Sequence, residues 1–248
     1  VTLTLEVLEQ TPTITTKDSD GDGIVDYLDT ISASHILQQK QSISNAFLIQ
    51  TEPGLKLSLG ETAFKANNSQ SMVTGEEVVL YAFNGKTVLD EVENIGGYFD
   101  FIVSGLPIAG QSVQVVLPQL APLPKIPVYR KLTPSGWKDF VKDEKNTIQS
   151  AAGSEGYCPP PGDAAYQPGL SEGRWCVLLT IEDGGPNDLD GVVNNSVTDP
   201  GGVSRFLTSV SVKSSGGGGG SASPLLLLSV FFMLLYYRHG KHLMRKAA

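Results

Sequence analysis

Between about Ser44 and Val212 the apolar residues come in short runs rich in β-branched and aromatic side chains: AFLIQ from Ala46, LKLSL from Leu55, EVVLYAF from Glu77, YFDFIV from Tyr98, SVQVVL from Ser112, CVLLTI from Cys176 and FLTSVSV from Phe206. Gly, Pro, Asn and Asp punctuate them, as in GLPIAG from Gly105 and APLPKIP from Ala121. Runs of this length bounded by turn formers predict strands. No long segment sustains helical spacing, apart from a turn or two expected around Trp137 to Val141. The pattern therefore predicts an all-β fold, an antiparallel β-sandwich. Val1 to Val7 alternates apolar residues with Thr and Glu, which suits the last strand of something upstream, and Thr11 to Lys17 reads as a polar linker.

After Lys213 the pattern changes abruptly. SSGGGGGSAS is followed by PLLLLSVFFMLLYY and then by RHGKHLMRKAA. The apolar run from Leu225 to Tyr237 gives about 20 Å of helix, short for a permanent span of bilayer hydrocarbon. A buried core helix would not be framed by five glycines on one side and by cations on the other, so the run reads as a membrane segment with its basic end cytoplasmic. The chain then divides into the end of an upstream domain with its linker (1–17), an acidic loop (18–30), a β-domain (31–213), a Gly/Ser linker (214–223), a membrane helix (224–237) and a basic tail (238–248). On this reading the β-domain is exported.

Charge supports that division. The 248 residues carry 18 Lys and Arg against 26 Asp and Glu, but Arg238, Lys241, Arg245 and Lys246 all lie in the acid-free tail, leaving 14 basic against 26 acidic side chains, net −12. Such a surface repels phosphate backbones and attracts cations, which disfavours nucleic acid as a partner. The first residue is Val1 with no leader after it, and a signal peptide or upstream domains are expected before it. Cys158 and Cys176 lie in a stretch rich in Gly and Pro. In an exported protein the pair reads as a disulfide, two buried free thiols being the alternative. His35 is the one histidine outside the tail, so a zinc site or a Ser-His-Asp hydrolase is hard to build. Asp90, Glu91, Glu93 and Asp100 fall near strands and read as solvated edges rather than a glycosidase pair. Trp137 and Trp175 read as core packing rather than a sugar platform.

The sharpest local signal is the twelve-residue stretch from Asp18 to Asp29, with Asp18, Asp20, Asp22, Asp26 and Asp29 as carboxylates, Gly23 at the turn and the Ile24 carbonyl as a further donor. Calcium takes six to eight oxygens, and a glycine at the sixth position lets alternate carboxylates converge. A second acidic stretch offers Asp183, Asn187, Asp188, Asp190, Asn194 and Asp199, but Pro186 and Val197 occupy the outer ligand positions. A plain turn region between two strands is its rival reading.

The first stretch resembles a thrombospondin type 3 repeat or an EF-hand-like loop, with Asp29 in place of the bidentate Glu of an ordinary EF-hand. VYRKLTPSGWKDF from Val128, SAAGSEGYCPPPGDAAYQPGLSEGRWC from Ser150 and IEDGGPNDLDGVVNNSVTDPGGV from Ile181 resemble the bacterial surface module called the choice-of-anchor U domain. With SGLPIAGQSVQVVLP upstream, the similarity spans roughly 32–213. The tail resembles the GlyGly-CTERM sorting signal. That resemblance implies a Gram-negative bacterium, the type II secretion machinery, and cleavage by an intramembrane protease of the rhombosortase type. Cleavage is expected near the glycines Gly216, Gly217, Gly218, Gly219 and Gly220. The expectation is a non-catalytic, Ca2+-binding surface or secreted module, the alternative being an accessory and anchoring region of a secreted hydrolase or a carbohydrate-binding adhesin.

Overall fold

The computed structural model of the protein describes residues 16–40, 45–88 and 90–206. Strands dominate among them and form two antiparallel sheets. The first sheet places β1 (Ile36–Gln38), β2 (Leu48–Thr51), β7 (Ser112–Pro118), β12 (Cys176–Glu182), β10 (Thr147–Ala151) and β11 (Gln167–Pro168) side by side in that order. The second runs β3 (Lys56–Leu59), β6 (Tyr98–Ser104), β13 (Ser196–Phe206), β8 (Pro127–Thr133) and β9 (Gly136–Asp139), with β4 (Met72–Val73) beside β6 and β5 (Val92–Asn94) beside β13.

One core joins the sheets in a sandwich-like arrangement. Val113, Val115, Leu117, Val177, Leu179 and Ile181 from the first sheet meet Leu57, Phe99, Phe101, Val103, Tyr129, Val197 and Val203 from the second. Alternate residues of a strand point to opposite faces, yet β7 and β12 are apolar almost throughout. The reason is a second cluster on the other face of the first sheet, where Val116, Leu178, Ala151 and Cys176 pack against Tyr166, Cys158 and Trp175. The Cys158–Cys176 disulfide, Cα atoms 5.6 Å apart, pins the intervening loop over that face, and the Tyr166 hydroxyl donates to the Pro159 carbonyl within the loop at 2.8 Å. Trp175 and Trp137 are both packing residues, the latter stacked on Tyr98 with ring centroids 4.8 Å apart.

Two expectations are corrected. EVVLYAF does not form a strand: a Thr74-capped turn of helix α2 (Gly75–Glu77) runs into a π-helical turn over Val78–Ala82. Thr74 and Glu77 form a reciprocal capping box there, and that N-terminal signal outweighs the β propensity of two valines. The Trp137 to Val141 region is not helical; Gly136–Asp139 forms β9, the return arm of a hairpin whose register pairs Leu132 with Trp137 and Thr133 with Gly136. The expected C-terminal helix and Gly216–Gly220 lie outside the described residues, as does the alternating Val1–Val7 segment. No helix among the described residues is long and apolar enough to cross a membrane.

The six-residue helix α1 (Glu61–Ala66) is capped from afar. Asp100 on β6 accepts the Thr62 and Ala63 amides on Oδ2 at 2.7 and 3.0 Å. Burial nonetheless pushes the Asp100 carboxyl up from 3.8 to about 6, against those two hydrogen bonds. Between these values the unfolded chain has lost a proton that the folded chain keeps, so this group makes stability fall as pH rises from 3.8 to about 6. Asp100→Asn keeps an acceptor for the two amides and removes the titration. Thermal melts over that interval are expected to show a shallower decline for the variant; an unchanged slope would refute the assignment.

Candidate metal centre

The acidic stretch lies against the edge of the second sheet. The Leu59 amide donates to the Asp22 carbonyl at 2.7 Å and the Leu57 amide to the Ser34 carbonyl at 2.7 Å, so the segment covers backbone groups that β3 would otherwise present as an open edge. The Ile24 side chain, 1% exposed, is the anchor that inserts into the core. Gly21 and Gly23 take φ of 71° and 97°, a left-handed geometry that costs glycine little. A Cβ on Gly23 would lie 3.3 Å from the Leu59 side chain, so the turn is also tight against β3.

This backbone brings Asp18, Asp20 and Asp22 together, with one carboxylate oxygen from each all within 4.8 Å of one another. That spread matches the roughly 5 Å across a calcium shell with oxygens at 2.3–2.6 Å. Asp18 shapes the turn, accepting the Gly21 amide on Oδ1 at 2.6 Å and the Gly23 amide on Oδ2 at 3.0 Å. Asp22 is 1% exposed and accepts the Ile24 amide at 2.7 Å. Asp20 Oδ2 is buried and has no hydrogen-bond partner. Burial, and then the mutual repulsion of Asp18, Asp20 and Asp29, raises the Asp22 carboxyl from 3.8 to about 7. Asp20 and Asp29 are raised too, again first by burial and then by neighbouring carboxylates. Oxygen-only donors, one of them orphaned and three of them held above their ordinary range, fit a hard divalent cation such as Ca2+ and lack the nitrogen or sulfur that zinc prefers.

The other members of the expected set stand differently. Asp29 lines a small cleft with Ser19, Asp20, Asp26, Thr30 and Ser32, and its Oδ1 accepts the Ile31 amide at 2.8 Å. Asp26 lines the same cleft but bonds the Ser19 hydroxyl and amide at 2.9 and 2.7 Å and pairs with Lys17 at 3.2 Å. Its carboxyl is lowered by these bonds, Ser19 first. Asp26 thus closes the loop on itself. Lys56 is a neighbour the spacing did not reveal: its Nζ lies 2.6 Å from where a Gly21 Cβ would be.

The second acidic stretch is not gathered in the same way, and, apart from a buried and unpartnered Asp199 Oδ2, its carboxylate oxygens are spent on the chain itself. Asp183, fully buried, accepts the amides of Gly110, Asn194 and Asn195 at 2.8–2.9 Å. Asp188 accepts Thr198 and Gly184 amides, both at 2.9 Å. Asp190 accepts the Val192 amide and the Asn194 side chain. Asn187 exchanges two bonds with the Val141 backbone, both at 2.8 Å, and Asp199 pairs with Lys131 inside the sandwich. Each of these residues ties a loop or strand to its neighbour, as the rival turn reading expects.

Of the four carboxylates read as solvated edges, Glu91 is exposed, but the other three are engaged, and Asp100 is buried rather than solvated. Asp90 takes a two-point grip from Arg130 at 2.6 and 3.1 Å, Glu93 pairs with Arg205 at 2.8 Å, and Asp100 caps α1. No protein-family model, curated protein or solved structure matches this chain.

Proposed function

We propose that this chain is a non-catalytic, exported β-module whose Asp18–Asp29 loop binds Ca2+ and is thereby stiffened. The observation that carries the reading is the convergence of Asp18, Asp20 and Asp22 with an orphaned, buried Asp20 oxygen. Asp18, Asp20 and Asp22 hold the ion by carboxylate, with Asp29 and the Ile24 carbonyl completing the shell. Neutralising that charge relieves the carboxylate repulsion that adds to burial in raising the Asp22 carboxyl, and tightens residues 18–29 against β3. Limited proteolysis tests the mechanical claim: cleavage within residues 17–31 is expected to slow on adding Ca2+ and to recover with chelator. Equal cleavage in both would refute stiffening.

Export and sorting belong to the same proposal and rest on the tail and the disulfide. A run too short to span comfortably, preceded by glycines that unwind easily, suits transient membrane insertion and cleavage by a rhombosortase-type protease. The product then lies at the surface or in the medium of a Gram-negative bacterium using type II secretion. C-terminal peptide mapping of protein recovered outside the cell is expected to end between Gly216 and Ser223. A mature chain still carrying Leu225 to Tyr237 would contradict the processing.

A further inference from the structure

Inside the sandwich a lysine and an aspartate touch with almost nothing else to hold them. Lys131 on β8 is opposite Gly201 of β13, and Asp199 lies two residues before Gly201, on the same inward face. Asp199 is opposite Phe101 of β6, a core residue. The side chains are 4% and 0% exposed, and Lys131 Nζ is in direct contact with Asp199 Oδ1. Gly201 makes the room: a Cβ there would stand 3.0 Å from Asp199 Oδ1 and 2.7 Å from Cε1 of Tyr129. Asp199 Oδ2 and the Tyr129 hydroxyl are both buried without a hydrogen-bond partner. As an ion pair this is poorly built, because a buried pair repays its desolvation when the remaining lone pairs and protons are satisfied.

We propose that Lys131 and Asp199 condense spontaneously after folding into an isopeptide bond that staples β8 to β13. In the step the ammonium passes a proton to the carboxylate, giving a neutral amine and a carboxylic acid. The nitrogen lone pair adds to Cγ, a Cγ–O bond breaks, and the departing hydroxyl leaves as water with a second proton from nitrogen. Nothing is oxidised or reduced, and no co-reactant is consumed. The product is a neutral amide whose remaining oxygen is an acceptor in the neighbourhood of the unsatisfied Tyr129 hydroxyl.

Two physical effects favour the reaction. Burial lowers the Lys131 amine and raises the Asp199 carboxyl, in each case as the foremost cause, which moves both toward the neutral forms that react. Holding the two groups in contact replaces a bimolecular encounter by effective molarities that reach about 10⁵–10⁸ M in well-oriented intramolecular reactions. Exclusion of water removes the reagent for the reverse reaction. Asp188 and Asp100 are the other carboxylates whose charge reaches Lys131. Asp188 is held by two amides and Asp100, opposite Pro200, faces the other side of the sheet. Neither competes with Asp199 for the amine. This inference is independent of the calcium reading.

Intact-mass measurement of the folded, non-reduced chain tests it. The expected mass is lower than the sequence mass by one water, beyond the two hydrogens of the disulfide, in essentially all molecules. Proteolysis should release a branched peptide joining the segments around Lys131 and Asp199. Lys131→Arg keeps the positive charge and is expected to show no loss. Asp199→Asn is expected to lose ammonia in place of water, a substitution of leaving group that an ordinary ion pair does not predict. Natural protein that is folded and disulfide-bonded yet retains its full mass overturns the proposal. So does a water loss that maps to an Asp-Gly pair such as Asp190-Gly191.

Discussion

Ca2+ is expected to raise the thermal midpoint of this protein by roughly 5–11 °C when present at about a hundred times its dissociation constant. That figure follows from about 2.7 kcal/mol of binding linkage and the entropy of unfolding of a domain of this size. If the proposed export holds, the affinity expected is that of extracellular modules, about 10⁻⁴–10⁻³ M. The gain depends on pH in a defined direction. Without metal, the unfolded chain gives up the Asp22 proton near 3.8 while the folded chain holds it to about 7, so metal-free stability falls as pH rises through that interval. Calcium takes the deprotonated carboxylate, and the difference between calcium-loaded and chelator-treated midpoints therefore widens over the same interval. Asp20→Asn separates this account from simple charge neutrality. It removes one member of a repelling set whose Oδ1 accepts the Asp22 amide at 3.3 Å, an acceptor that Asn retains. The variant is expected to match or exceed the natural protein in chelator and to lose most of the calcium response. A variant that is destabilised in chelator and still responds to calcium would contradict the site.

Replacing Cys158 and Cys176 by serine is expected to cost about 3 kcal/mol, or roughly 6–12 °C in Tm, on the loop-closure account of a link of this length. The cost is large because the bond does more than shorten the unfolded chain. Residues 158–176 contain little regular structure, with Gln167–Pro168 pairing to Ser150 and Gln149 as their short strand. Yet they cover Val116, Leu178 and Ala151 on the outer face of the first sheet. Without the link, β7 and β12 present apolar side chains to water on that face. The double variant should therefore bind a hydrophobic dye more strongly at temperatures where the natural protein remains folded. Melting of the double variant within 2 °C of the natural protein, a bound well inside the expected shift, would refute the structural role.

The central strands were legible because they are buried on both faces. SVQVVLP and CVLLTIE are apolar runs bounded by Gly and Pro, and they pair over their whole length from Cys176–Pro118 to Glu182–Ser112. β13 was hidden for the opposite reason. It runs from Ser196 through Asp199, Pro200, Gly201 and Gly202 to Phe206, a composition that reads as a turn. It is held as a strand by partners on both sides, with Pro200 opposite Asp100 and Gly202 opposite Arg130. Tertiary pairing overrode local propensity there. In the acidic loop, spacing brought out Asp18, Asp20 and Asp22, which converge. It did not show that Asp26 is captured by Ser19 and Lys17, because that depends on the fold of the turn rather than on the interval between carboxylates. The Lys131–Asp199 pair is separated by 68 residues and comes together only through the pairing of β8 with β13, which no local pattern reveals.

Isothermal titration of the metal-free protein with CaCl2 at neutral pH tests the central claim most directly. The account predicts saturable uptake of one Ca2+ per chain, with a dissociation constant of about 10⁻⁴–10⁻³ M, abolished by replacing Asp20 and Asp22 with alanine and unaffected by Asp190→Ala. No heat of binding up to about 10 mM calcium, ten times the upper end of that range, or binding that survives loss of Asp20 and Asp22, would contradict it.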